Sequence, residues 1–131
     1  MKFIASYSVK NDVQSHLDSA WRMTFLAHGR KDLPNQIINK YSDGNFKRKI
    51  RAARTKKAAG KAVQDYLESM PKYIKNILPV IAAGVGSVLN NREKEIVQSL
   101  ESIYQKKVPF KKIEVFVTTS FMCSYSYDEK W

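Results

Sequence analysis

The sequence predicts an α+β fold: a mostly helical single domain, residues 1–131, with one strand near each end of the chain. Three observations lead there. "FIASYSV" (3–9) alternates apolar and polar side chains, and so does "KKIEVFVTT" (111–119), the pattern of strands with one buried face. Between them, apolar residues recur every three or four positions, as on amphipathic helices. A hydrophobic fraction of 44% is enough to build a core, and the length suits one domain.

In the first strand Phe3, Ala5, Tyr7 and Val9 share a face. Asn11 or Asp12 then reads as the cap of a helix with apolar positions Val13, Leu17, Ala20, Trp21 and Phe25, His28 near its end and Gly29 as its stop. Pro34 opens a short helix carrying Ile37, Ile38 and Tyr41, which Gly44 is expected to end. "FKRKIRAARTKKAAGKAV" (46–63) is Ala-rich and free of Pro, so it reads as helix, weakened by about 1 kcal/mol at Gly60. Val63, Tyr66, Leu67 and Met70 continue an apolar stripe. Pro71 starts a new turn, "PKYIKNIL", before the apolar run "ILPVIAAGVGSVL" (77–89). "NNREKEIVQSLESIYQKKV" is the clearest helix, with Asn91 as cap and Glu93 and Glu95 at its positive end. Lys106 and Lys107 suit its negative end, and Ile96, Val97, Leu100, Ile103 and Tyr104 form its stripe. After Pro109 comes the second strand, with Ile113, Val115 and Val117 on one face. The two strands are expected to pair in one small sheet with the helices packed against it.

The net charge of +11 is local. Residues 40–61 hold nine Lys or Arg and one acid, Asp43, which is +8 and leaves +3 for the rest. A cluster of this kind attracts phosphates, acidic protein surfaces or anionic headgroups. Lys47, Arg51, Arg54, Lys57 and Lys61 recur at helical spacing along one face. Together with Arg48, Lys49 and Lys56 they are candidates for gripping a nucleic-acid backbone, and Tyr41 and Phe46 for stacking on its bases. The alternative is a solvated face with no ligand. A membrane-surface role would need an apolar face beside the stripe, and Phe46, Ile50 and Ala53 give only a thin one.

Catalytic and cofactor motifs are missing. A lone cysteine, Cys123, excludes an intramolecular disulfide, and its apolar setting suggests packing rather than a reactive thiol. His16 and His28 lie twelve residues apart with no H-E-x-x-H or Cys pair, so no metal or other cofactor is expected, and His16 is placed at the surface. Asp65 and Glu68 have Lys61 and Lys72 four residues away, the spacing of surface ion pairs. "GVGS" (84–87) lacks the Lys of a phosphate loop and reads as a site of close packing. The N-terminus has no secretory pattern, and a thirteen-residue apolar helix would span about 20 Å against a bilayer core of about 30 Å. These features predict a soluble, cytoplasmic chain with no transmembrane segment. They leave its oligomeric state open.

The stretch "REKEIVQSLESIYQKKVPFKKIEVFVTTSFMCSYSYDEKW" (92–131) resembles part of small zincin-like proteins, putative metallopeptidases. In that family a helix, a turn and a strand of the "KKIEVFVTT" kind precede the helix bearing H-E-x-x-H. The chain stops at Trp131 before any such motif, so the resemblance carries over no metal ligand and no catalytic Glu. The ending fits either a chain whose partner half lies elsewhere or a terminal Trp packed in the core. The function expected is therefore a non-catalytic binding or structural domain acting through packing or a protein partner. The alternative is a small basic nucleic-acid-binding protein.

Overall fold

A computed structural model describes residues 1–21 and 33–120. The fold is α+β and mostly helical, with the strands from the two ends of the chain paired in one small sheet. In chain order the elements are β1 (Lys2–Ser6), α1 (Val9–His16) with a π-helical continuation (Leu17–Trp21), α2 (Leu33–Asn39), α3 (Gly44–Ala52), α4 (Lys56–Glu68), α5 (Lys72–Asn91), α6 (Glu93–Tyr104) and β2 (Lys112–Phe116). The expected places of Phe25, His28 and Gly29, and of Cys123 and Trp131, lie outside the described residues. The backbone divides into two compact units, Met1–Ser8 with Pro71–Val117, and Val9–Met70 with the residues from Thr118 on.

The first unit is built on β1 and β2, which run parallel with Phe3 opposite Ile113 and Ala5 opposite Val115. These four side chains share one face, where Phe3 is buried and the other three half-buried. Helix α5 packs on β1. The two meet closely at Gly86, where a Cβ would stand 3.3 Å from that of Ala5, so a side chain there would require its neighbour to give by a few tenths of an ångström. Of the "GVGS" glycines, Gly86 permits close packing, while Gly84 has nothing near it. In a parallel strand, the N–H and C=O of one residue point to the same side. Those of Phe3 both meet the Asn90 amide, with Phe3 N donating to Oδ1 at 2.9 Å and Nδ2 donating to the Phe3 carbonyl at 2.8 Å. Asn90 thus stands in for a neighbouring strand.

Three expectations change here. The apolar run does not follow a separate turn. Lys72–Asn91 is one helix of 20 residues that continues through Pro79, which has no N–H for the ladder. It spans about 30 Å. By length and composition it is the one helix among the described residues able to cross a membrane, and little of it is buried. Asn91 ends α5 rather than capping α6, whose first turn follows Arg92 without a side-chain cap. At its other end α6 stops at Gln105, in the left-handed region at φ 53°.

In the second unit, α1 and its π-helical continuation pack with α2, α3 and α4 around Leu17, Ala20, Ile37, Ile38, Ile50, Val63 and Leu67. Val13 and Trp21 pack against this core, and the Trp21 indole donates to the Ala53 carbonyl at 3.3 Å. Gly44 opens α3 instead of closing α2, because the Asp43 carboxylate accepts from Phe46 N at 2.9 Å and caps the new helix. The basic stretch is likewise two helices. Thr55 is extended (φ −127°, ψ 154°), and its hydroxyl accepts from Ala58 N at 3.1 Å, so it starts α4. A Thr side chain that can satisfy a first-turn N–H competes with continuing the helix.

Asn90→Ala leaves both Phe3 backbone groups without their partner. It is expected to destabilise the first unit by about 1–3 kcal/mol. The check is amide exchange at Phe3, whose protection should fall in the variant while that of Val63 in the second unit stays constant.

Candidate functional site

Asp12, expected to cap a helix, sits inside α1 and is 0% exposed, as is His16 one turn later. The residues following β2 explain why. Thr118 Oγ1 and Thr119 N donate to Asp12 Oδ1 at 2.7 and 2.8 Å, and Thr119 Oγ1 donates to Oδ2 at 2.7 Å. His16 therefore corrects a second expectation, for it is buried rather than exposed. Its Nε2 lies 2.9 Å from Thr119 Oγ1, and its Nδ1 lies 2.6 Å from the Tyr41 hydroxyl. Since Thr119 gives its proton to Asp12, Nε2–H must donate to Thr119, and neutral Nδ1 accepts from Tyr41. Every proton in this chain points toward Asp12. Burial pushes the His16 pKa below its usual 6.5, with Asp12 opposing, and pushes the Tyr41 phenol up.

The network is sealed. Tyr41 and Phe46 are 1% and 2% exposed, with ring centroids 4.7 Å apart, and Phe46 stacks on Tyr66 at 4.6 Å. The two aromatics singled out for base stacking are core residues, which removes them from any nucleic-acid surface. The nearby Ser19 hydroxyl donates to the Ser15 carbonyl at 2.9 Å, from the π-helical segment back to α1. The one sequence sign of this network was an Asp and a His at i, i+4 on a helix whose next turn is apolar.

The basic candidates are placed at the surface but not along one helix face. Lys47, Arg48, Lys49 and Arg51 belong to α3, Arg54 to the connection, and Lys56, Lys57 and Lys61 to α4. Lys47 is half-buried and the rest are exposed. Lys49 and Lys61 both reach Asp65, at 3.1 and 2.6 Å, and hold its carboxyl below the usual range. Arg48 donates to Asn45 and Arg51 to Asn39. Arg54, Lys56 and Lys57 cluster where α3 gives way to α4. Lys56 and Lys57 occupy the first turn of α4, whose N-terminal end is itself positive. Among the described residues, no group of three His, Cys, Asp or Glu is set to hold a metal ion.

The first unit presents a different surface. On α5 the side turned to β1 carries Leu78 and Ala82, both buried, flanked by half-buried Ile74, Val85 and Leu89. A second apolar stripe runs beside it uncovered: Tyr73 is 71% exposed, Ile77 50%, Val80 67%, Ile81 43% and Val88 61%. Singly exposed apolar residues are ordinary; here five lie in one row on one helix.

No family model, curated protein or solved structure matches the chain.

A His held neutral by burial makes the second unit acid-sensitive. Because its folded pKa lies below 6.5, the unfolded chain takes up the proton first as pH falls, so the contribution is complete above about pH 6.5 and declines below it. The raised Tyr41 works in the opposite sense, and stability falls as pH rises above about 10. Melting temperatures between about pH 5 and 7 should show a slope that His16→Gln reduces.

Proposed function

We propose that the chain is a soluble, cytoplasmic, non-catalytic binding domain that acts by packing the uncovered stripe of α5 against another polypeptide. The exposure of Tyr73, Ile77, Val80, Ile81 and Val88 in one row supports this reading. In the terms of the resemblance of residues 92–131, it is a framework of the zincin-like kind without the zinc chemistry. The test is retention on a phenyl column. Wild type should elute later than Val80→Glu, with the far-UV circular dichroism of the two unchanged, since a surface substitution there alters stability by only about 0.5 kcal/mol. Equal retention overturns the docking reading. Peptide hydrolysis with added zinc, above a metal-free control, overturns the non-catalytic one.

A nucleic-acid grip is the second reading, favoured by Arg54, Lys56 and Lys57 at the α3–α4 connection. Three phosphate contacts give a slope of about −2 to −3 in log K against log salt. Fluorescence anisotropy of labelled RNA and DNA between about 50 and 200 mM salt measures it. Arg54→Glu with Lys57→Glu should abolish the binding, whereas Arg51→Glu, whose guanidinium is engaged by Asn39, should weaken it less. Binding that ignores these substitutions leaves the cluster a solvated surface.

A further inference from the structure

We infer that the occupant of the α5 stripe is a second copy of this chain, paired antiparallel about a twofold axis between Val80 and Ile81. The inference rests on the docking reading above and adds the identity of the partner. At 100° per residue, Tyr73, Ile77, Val80, Ile81, Gly84 and Val88 fall within an arc of about 100°, and no charged residue shares it. Their spacings along the helix are four, three, one, three and four. The set is symmetric about its own centre. When two such helices run antiparallel, Tyr73 of each copy meets Val88 of the other and Ile77 meets Gly84, while Val80 and Ile81, on opposite edges of the stripe, each lie beside the same residue of the other copy next to the axis. In the two outer pairs a larger side chain faces a smaller one, the condition for knobs to enter holes. A parallel pair would set Tyr73 on Tyr73 and Gly84 on Gly84, bulk on bulk and gap on gap. Gly84 has open space around its Cβ position, so the gap it leaves is available to Ile77 of a second copy.

Area and charge fit a weak pair. The five exposed side chains offer on the order of 500 Å² per copy, within the range of the largest apolar patch on an ordinary monomer. Two copies bury at most about 1,000 Å², the lower limit for a specific interface, which fits a weak, concentration-dependent pair. Each copy also carries a formal charge of +11, which opposes association at low salt. Pairing should therefore strengthen as salt rises, the reverse of binding to nucleic acid.

The test is sedimentation velocity on the full chain from about 1 to 200 µM, a range chosen to bracket that weak dissociation. A shift from 15.1 kDa toward twice that mass is expected, sharper at high salt. Gly84→Leu fills the gap while removing a helix glycine that costs about 1 kcal/mol, so it should keep or raise the melting temperature and still dissociate the pair. Direction is read by cross-linking in a Cys123→Ser background. Val80→Cys should form a disulfide with itself, and Tyr73→Cys should do so only when mixed with Val88→Cys. In the antiparallel pair the two Tyr73 positions are about 22 Å apart along the axis. Self-linking of Tyr73→Cys, or a dimer that Gly84→Leu leaves intact, overturns the arrangement. A monomer at every concentration that is still retained longer than Val80→Glu overturns the second copy and leaves docking to a different protein. Co-sedimentation of that monomer with anionic lipid vesicles, lost in Val80→Glu, assigns the stripe to a membrane and overturns both readings.

Discussion

Two five-residue strands from opposite ends of the chain, held in parallel register, are the constraint on which the topology depends. A parallel pair cannot be joined by a hairpin, so everything between Ser6 and Lys112 must leave and return. Closing a loop of that length costs about 4 kcal/mol in chain entropy. Two short strands are marginal on their own. The sheet persists because α5 supplies what a third strand would, a packing surface at Leu78 and Ala82 and the Asn90 amide along the free edge of β1. Where β2 ends, Thr118 and Thr119 are taken up at once by Asp12.

That carboxylate explains the largest error of sequence reading. Asp12 precedes an apolar-periodic run and so looks like a helix cap, a role in which its oxygens would serve N–H groups two or three residues on. Its partners instead come from more than a hundred residues away, and no local pattern reports them. His16 was misplaced for the same reason. A polar residue is read as exposed until the hydroxyls and phenol that satisfy it are known, and those of His16 come from Tyr41 and Thr119. Once Tyr41 serves His16, it is no longer available to stack on a base.

Most strand and helix stripes were legible because they depend on period alone: Phe3 and Ala5, Leu17 and Ala20, Ile37 and Ile38, Val63 and Leu67 all face inward as the pattern requires, whereas the stripe expected on α6 is not buried and leaves Ile103 and Tyr104 exposed. Boundaries were less so. "ARTKKAA" scores as helix throughout, yet a hydroxyl at Thr55 with an N–H three residues on is enough to end one helix and begin the next. The charge cluster was visible, but its division was not. Asp65 lies beyond the basic stretch and holds two of its lysines, which leaves the connection around Arg54 as the exposed positive point.

The uncovered stripe of α5 follows from a mismatch of lengths. Five residues of strand rise about 17 Å, and two strands are about 5 Å apart, whereas a helix of this length runs about 30 Å. Such a sheet covers one stripe of the helix over part of its length. Yet α5 is apolar over about 200° of its circumference, from Val80 through Ile77 and Ile81 to Leu78 and Ala82. Nothing in packing on β1 requires Tyr73, Ile77, Val80 or Val88 to be apolar, and each would bring about 1.5–3 kcal/mol if it were fully buried. Exposed positions of α6 carry Lys94, Glu95 and Gln98 but also Ile103 (71% exposed) and Tyr104 (69%) at its end, whereas α5 keeps an uncovered apolar row along most of its length. The second stripe is therefore apolar beyond what the first unit's own packing uses.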